Sequence, residues 1–190
     1  MIKKDWALGI LATSIFVHIS LFFILAFLIY LFYASYSLLS LSAVLLPLIS
    51  VLVVLFILWK RSTLTNELKG KILLLITVVL CFIPSFILMN LLGKNEEKLN
   101  FTIEKWVNQP DDRVYFVYDF LDEYKMVGKS KEDIQKLLGA PDENHSYATT
   151  ENVISYFLGA ELGWIRMDGT YLVIWFNDDD EAINYEVETY

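Results

Sequence analysis

Side chains that could carry chemistry are sparse in this sequence, and their spacing matches no catalytic or metal-binding pattern. His18 and His145 stand far apart, and serine, histidine and aspartate occur without the spacing of a catalytic triad or a nucleophile elbow. Residues 178–181 (Asp-Asp-Asp-Glu) offer the carboxylates that calcium prefers, but they lack the alternating ligand spacing and the glycine of an EF-hand loop. We therefore predict a solvated hairpin loop there, and no enzyme activity, catalytic residue, cofactor or metal ligand.

His18 is an ionisable side chain that the sequence places in the middle of an apolar segment. Ionisable residues inside a membrane are candidates for function, although a proton or ion pathway normally needs more than one of them. The apolar segments contain no acidic or basic partner for His18, and a neutral imidazole could instead hydrogen-bond a backbone carbonyl or a nearby serine. Both interpretations stay open. Pro47 and Pro84 in these segments are interpreted as tolerated kinks rather than hinges.

The elements that would hold these side chains fall into two parts of opposite character. The 190 residues are 56% hydrophobic, which exceeds the share typical of soluble domains. Residues 1–93 carry a net charge of +4, whereas residues 94–190 carry −12. Because such an excess of negative charge repels phosphate, the sequence argues against a nucleic-acid partner.

Residues 1–93 are predicted to cross a membrane three times. No formal charge occurs in the 54 residues from Trp6 to Trp59, and about 20 helical residues suffice for one crossing. The break between the first two spans is predicted at residues 33–37, where small and interfacial side chains cluster. The third span is predicted over residues 72–92, with Gly93 ending it.

The positions of the basic residues predict the orientation of the spans. Lys3 and Lys4 precede the first span, four basic residues separate the second span from the third, and none lies between the first and the second. The positive-inside rule then places the amino terminus and the second loop in the cytoplasm, so three crossings leave residues 94–190 outside. We predict a multi-pass protein of a bacterial plasma (inner) membrane, with the lipid bilayer as a constant partner.

Residues 94–190 are predicted to form a linker helix and a small α+β domain. Residues 94–110 carry apolar side chains at helical spacing and are assigned to the linker, and residues 111–190 are assigned to the domain. Within the domain, Ser130 is predicted to cap a short helix that ends at Gly139. The pattern then changes to a period of two, which predicts an antiparallel sheet of three to four strands with the helices packed on one face. The predicted strands are 153–158, 171–176 and 182–188, with an optional short strand at 162–167.

The predicted domain contains a capped-helix motif followed by two strand motifs. Residues 128–141, GKSKEDIQKLLGAP, have the form G-x-[ST]-x-x-[DE]-[IV]-x-x-L-L-G-x-P. With YFLG at 156–159 and YLVIWFND at 171–178, this pattern resembles the SmpA/OmlA (BamE-like) domain, whose fold is similar to that of the β-lactamase inhibitor protein. The resemblance covers roughly residues 113–188. It implies a non-catalytic extracytoplasmic module that binds other proteins. The best-known members are anchored by a lipid on cysteine, whereas this chain has three predicted spans, so a binding module is implied rather than a role in outer-membrane assembly.

The alternation along the strands predicts a protein-binding patch on the sheet. If Leu172, Ile174 and Phe176 face the helices, the residues that alternate with them along the strand face away from the helices. Exposed aromatic anchors within a polar rim, here Glu186 and Glu188, are typical of protein interfaces. The alternatives are that the linker helix, the last spans or a second copy of the domain covers this face, and a one-residue error in register would exchange the two faces. The predicted partner-binding residues are Phe157, Tyr171, Val173 and Trp175.

These features favour a membrane-anchored extracytoplasmic module of a bacterial cell envelope that binds an envelope protein or a second copy of itself, without catalysis. The alternative is an accessory or regulatory subunit of a membrane transporter or enzyme that acts through its transmembrane helices. The two hypotheses place the contact with the partner in different parts of the chain. The first places it in residues 111–190 and the second in residues 1–93.

Overall fold

The computed structural model describes residues 1–141, 152–163 and 165–190, and the chain divides into two compact units. The membrane unit is Met1–Glu97, and the C-terminal unit is Lys98–Tyr190. His145 lies outside the described residues. The C-terminal unit starts earlier than the predicted domain boundary at residue 111, because side chains of the predicted linker are buried within it.

Three long helices run through the membrane unit: α1 (Lys4–Phe32), α2 (Leu38–Arg61) and α3 (Leu68–Leu99). A short 3₁₀ turn, Thr63–Asn66, links α2 to α3. All three helices are long and apolar enough to cross a membrane, so the prediction of three apolar spans is confirmed. Many large apolar side chains on them are exposed, as expected of helices that lipid tails surround.

The break between α1 and α2 falls at the predicted residues 33–37. Tyr33 has a φ of +49°, in the left-handed region, and ends α1. Ser37 then caps α2, because its Oγ accepts a hydrogen bond from the Ser40 N–H while Ser40 Oγ accepts one from the Ser37 N–H. This reciprocal pair satisfies two of the N–H groups that the start of a helix leaves unbonded. The predicted break is confirmed.

Helix α3 continues past Gly93, where the sequence predicted the end of the third span. A glycine within a helix costs only about 1 kcal/mol, which contacts of the following turn can offset. In that turn, Asn95 Nδ2 donates to the carbonyls of Ile29 (3.1 Å) and Ala34 (2.9 Å) at the end of α1. These two hydrogen bonds attach the turn after Gly93 to the end of α1 and to the residues that follow it, which favours the continuation of the helix.

Among its described residues, the C-terminal unit contains three short α-helices followed by a three-stranded antiparallel sheet. The strand order is β1-β2-β3, so each strand pairs with the next along the chain. The prediction of an antiparallel sheet after helices is confirmed, whereas the described part of residues 162–167 forms no strand. The helices are α4 (Ile103–Asn108), α5 (Arg113–Glu123) and α6 (Lys131–Leu138), and the strands are β1 (Val153–Ala160), β2 (Gly169–Phe176) and β3 (Ala182–Thr189).

A break interrupts the stretch that was predicted as a linker helix over residues 94–110. Helix α3 ends at Leu99. Thr102 caps the start of α4, because its Oγ1 accepts a hydrogen bond from the Lys105 N–H (3.2 Å). Within the break, the Phe101 N–H donates to the Asp119 carboxylate of α5 (2.6 Å). The apolar spacing continues across the break, so periodicity alone does not reveal it.

The predicted cap of α6 is confirmed, because Ser130 Oγ accepts a hydrogen bond from the Asp133 N–H (3.1 Å).

Trp106 of α4 lies in the core of the C-terminal unit and has no exposed surface. Its ring centroid is 5.2 Å from that of Phe120 and 6.0 Å from that of Tyr156, and the Arg113 guanidinium lies 4.7 Å over it. The indole N–H donates to the Leu138 carbonyl (2.9 Å), one of the carbonyls that α6 leaves free at its end. Trp106 thus joins α4 to the end of α6 and to β1.

Gly159 marks a close approach between two backbone segments. Its φ is +112°, which side-chain-bearing residues rarely adopt, and a Cβ there would lie 2.0 Å from the carbonyl oxygen of Asp111. The glycine of the YFLG motif is therefore required both by its own conformation and by the contact of β1 with the 3₁₀ turn Pro110–Asp112.

Candidate functional site

The sheet register brings the four predicted partner-binding residues to one face. Phe157 on β1 pairs directly with Tyr171 on β2, and Val173 and Trp175 follow Tyr171 at every second position. Directly paired residues share a face of a sheet, as do alternate residues along a strand. We call the surface formed by Phe157, Tyr171, Val173 and Trp175 the aromatic face. The opposite face carries Leu172, Ile174 and Phe176, which are buried.

The aromatic face is only partly open. Its three rings are partly exposed, whereas Val173 is 2% exposed. Val173 is central in the sheet, because Tyr171 and Trp175 flank it along β2 while Ser155 and Glu186 pair with it from the two neighbouring strands. Neighbours of this kind lie close enough to cover a short side chain. The rings therefore form the accessible part of the face, and Val173 forms its floor.

Ser155 is a buried polar residue in the same floor. Its side chain is 1% exposed, and its Oγ has no hydrogen-bond partner in the part of the chain that the structure describes. A buried hydroxyl without a partner costs about 1–3 kcal/mol. The strand alternation assigns Ser155 to the outward face and gives no sign that cross-strand neighbours cover it.

Gly169, at the start of β2, leaves room for two of the rings. The centroids of the Phe157 and Tyr171 rings are 5.4 Å apart, and the ring planes meet at 57°. A Cβ on Gly169 would lie 3.1 Å from Tyr171 Cε2 and 3.3 Å from Phe157 Cε2. The rings therefore lie across the glycine backbone, an arrangement in which aromatic side chains protect a glycine within a sheet. This packing holds the ring pair in place.

Carboxylates border the aromatic face on the side of β3. Glu186 and Glu188 pair with residues of that face, so their side chains share it. Asn184 Nδ2 donates to Glu186 Oε1 (3.4 Å), and the Tyr190 hydroxyl donates to the Glu188 carboxylate. Two like charges at this edge attract basic groups and repel acidic ones. The face thus combines apolar rings with a negative rim.

The acidic run at 178–181 forms the hairpin loop between β2 and β3, as the alternation predicts. Asn177 Oδ1 accepts hydrogen bonds from the N–H groups of Asp179 (3.1 Å) and Glu181 (2.8 Å), which makes an Asx turn. Asp180 adopts a φ of +59°, a conformation that aspartate tolerates better than most residues. Within residues 1–141, 152–163 and 165–190, no three His, Cys, Asp or Glu side chains are grouped to hold a metal ion.

His18 on α1 is buried and contacts α3. Its Nε2 is 3.2 Å from the carbonyl oxygen of Cys81, and the side chain is 5% exposed. A carbonyl only accepts hydrogen bonds, so Nε2 is the donor, and Nδ1 has no partner among the described residues. His18 therefore connects α1 to α3 by a hydrogen bond to a backbone carbonyl.

A cavity of about 730 Å³ lies between α1 and α2, and we call it the membrane cavity. Its volume is within the range of ligand pockets, and its walls are mainly apolar. The polar side chains in the walls include Asp5 at the start of α1, His18, and the hydroxyls of Thr13, Ser14 and Ser50. The two serines donate to carbonyls of their own helices. Such walls suit a lipid-like molecule or an apolar helix of another protein better than they suit acid–base chemistry.

No family model, no curated protein and no solved structure matches this chain. The fold defines its class directly as three apolar helices followed by a small unit of helices and an antiparallel sheet. The resemblance to the SmpA/OmlA domain stays a prediction, carried by the motifs at 128–141, 156–159 and 171–178.

Proposed function

We propose that this chain is a membrane-anchored, non-catalytic module that binds another protein outside the cytoplasm of a bacterial cell, through the aromatic face. The supporting observation is the arrangement of that face, in which three partly exposed rings surround a buried floor beside Glu186 and Glu188. A few aromatic side chains in such a setting commonly contribute most of the binding free energy of an interface. The negative rim favours a partner that presents basic groups.

Bonds between the helices and β1 support the proposal that α4, α5 and α6 form a layer behind the sheet. Arg113 Nη1 of α5 donates to the Phe157 carbonyl (3.1 Å), and the Tyr156 hydroxyl donates to the Gly139 carbonyl at the end of α6 (2.9 Å). These contacts would hold β1 rigidly from behind. A rigid support lowers the entropy cost of binding, because the rings need little ordering when a partner arrives.

The distribution of basic residues supports the proposed location outside the cytoplasm. Lys60 and Arg61 end α2, and Lys69 and Lys71 lie in the first turn of α3, so the basic loop and the start of α1 belong to the same end of the spans. The positive-inside rule assigns that end to the cytoplasm. The partner would then be an envelope protein or a second copy of this chain.

A photo-crosslinking amino acid at position 175 of the full-length chain tests the proposal in native membranes. We expect a discrete product whose mass equals the chain plus one envelope protein, or two copies of the chain. The same probe at Glu132, an exposed position on α6, is the control and should give little product. Adding Tyr171→Ala to the probe at position 175 should lower the yield about tenfold or more, because aromatic anchors each contribute about 2 kcal/mol or more. Equal yields at positions 175 and 132, or a yield that Tyr171→Ala leaves unchanged in a folded protein, would exclude the aromatic face.

The membrane cavity favours the second candidate function, an accessory or regulatory subunit that acts through the helices. The same method distinguishes it. A probe at Val17 lies in the wall of the cavity, and a probe at Phe86 lies on an exposed part of α3 away from the lining residues. Crosslinks to a membrane protein from Val17, but not from Phe86 or position 175, would replace the first proposal by the second.

A further inference from the structure

An open pocket of about 810 Å³ lies at the end of α2 and combines an apolar wall with two cations. Phe56 and Ile57 belong to the last turns of α2 and are exposed, and Lys60 and Arg61 follow them directly. The residues that line this interfacial pocket are Met1, Ile2, Phe56, Ile57, Lys60 and Arg61.

Backbone hydrogen bonds fix the wall that the start of the chain contributes. The Ile2 N–H donates to the Arg61 carbonyl (2.7 Å), and the Thr63 N–H donates to the Ile2 carbonyl (2.9 Å). These bonds form a parallel bridge between Ile2 and Ser62. The segment is held further at Lys4, whose ammonium contacts both carboxylate oxygens of Glu67 (2.9 and 2.8 Å). These hydrogen bonds and the ion pair therefore hold the Ile2 wall of the interfacial pocket in place within the membrane unit.

The two cations of the interfacial pocket differ from Lys4 in their pairing. Lys4 forms an ion pair with Glu67, whereas neither Lys60 nor Arg61 has a carboxylate within 4.0 Å among the described residues. Both belong to the last turn of α2, where the negative end of the helix dipole favours positive charge. Two cations beside an apolar wall at the end of a membrane helix complement a molecule with an anionic head and an apolar body.

We propose that the interfacial pocket binds one anionic phospholipid of the surrounding bilayer. The planar guanidinium of Arg61 can hold two phosphate oxygens at once, and the ammonium of Lys60 adds a second charge. Phe56, Ile57 and Ile2 supply the surface for an acyl chain. Basic pockets at the ends of transmembrane helices recognise anionic headgroups by this combination of charge and apolar contact. This proposal is independent of the function proposed for the aromatic face.

Lys69 and Lys71 provide the matched control for this site. They belong to the same basic end of the spans, but they do not line the interfacial pocket. The double substitution Lys69→Gln with Lys71→Gln removes the same charge as Lys60→Gln with Arg61→Gln. A delocalised attraction of anionic lipid to this end would weaken equally in both double variants.

Native mass spectrometry of the full-length chain, released from micelles with graded phosphatidylglycerol and phosphatidylcholine, measures lipid affinity. We expect the natural chain to retain one phosphatidylglycerol in preference to phosphatidylcholine. Relative to the control pair, Lys60→Gln with Arg61→Gln should weaken that binding about tenfold or more, since hydrogen bonds to charged groups are strong. The single variant Lys60→Gln should lose about threefold, and it replaces the double variant if that one does not purify as a folded species.

Three results would overturn the proposal. Equal losses in the two double variants would show unspecific attraction by surface charge. An absence of preference for phosphatidylglycerol in the natural chain would show that no anionic site exists. Release of the bound lipid by millimolar glycerol phosphate would show a site for a free phosphate ester in place of a lipid site.

Discussion

Gly159→Ala is expected to prevent folding of the C-terminal unit, or to lower its free energy of unfolding by at least about 3 kcal/mol. The added Cβ would lie 2.0 Å from the carbonyl oxygen of Asp111 and 2.7 Å from its carbonyl carbon. These are backbone atoms, which cannot rotate away as the end of a flexible side chain can. The φ of +112° adds strain for any residue that has a side chain. Pulse proteolysis of the full-length chain in detergent, over a series of urea concentrations, measures the loss.

Gly128→Ala is the matched control for that substitution. Gly128 also has a positive φ, +83°, but a Cβ there would meet no atom within 4 Å. Only backbone strain then applies, and we expect a loss of about 1–2 kcal/mol. If Gly159→Ala lowered the free energy of unfolding no more than Gly128→Ala does, that result would contradict the close contact between β1 and the turn Pro110–Asp112.

Trp106→Ala is expected to lower the free energy of unfolding of the C-terminal unit by about 3–5 kcal/mol. The substitution empties a fully buried site between Phe120 and Tyr156 and removes the ring over which Arg113 lies. It also leaves the Leu138 carbonyl without the indole N–H. In a domain of this size each kcal/mol lowers the thermal midpoint by about 4–8 °C, so we expect a midpoint at least about 12 °C lower.

Two further variants separate the causes of that loss. Trp106→Phe keeps an aromatic ring but removes the donor to Leu138, and it should cost about 1–3 kcal/mol. Val107→Ala changes an exposed neighbour on the same helix and should stay within about 0.5 kcal/mol of the natural chain. Similar midpoints for Trp106→Ala and Val107→Ala would show that α4 lies outside the core of the C-terminal unit.

The spans were predictable because the bilayer imposes a simple rule on composition. A charge-free segment of 54 residues admits little besides two helical crossings, and the local chemistry of residues 33–37 places the break. The continuation of α3 past Gly93 was not predictable. It depends on Asn95 reaching the carbonyls of Ile29 and Ala34, which are far away in the sequence. The break before α4 was hidden for a similar reason, since its partner Asp119 belongs to another helix.

The composition of the aromatic face followed from the alternation along β1 and β2, and the observed pairing of Phe157 with Tyr171 agrees with that register. The burial of Val173 and Ser155 did not follow, because it depends on which side chains lie across the strands. The interfacial pocket was also not predictable from the sequence, since long-range hydrogen bonds join Ile2 to the end of α2 there. Patterns of period two or 3.6 describe one element at a time, whereas sites are formed where elements meet.

The central proposal is that the aromatic face is presented on the side of the membrane opposite to the basic loop. Labelling of single cysteines by a membrane-impermeant maleimide in intact cells tests it most directly, in a chain whose buried Cys81 is replaced by alanine. Asp179→Cys reports on the exposed hairpin beside the aromatic face, and Lys69→Cys reports on the basic loop. We expect Asp179→Cys to react in intact cells and Lys69→Cys to react only after permeabilisation. Reaction of Lys69→Cys in intact cells, with Asp179→Cys protected until the membrane is opened, would contradict the proposed orientation and remove the extracytoplasmic partner with it.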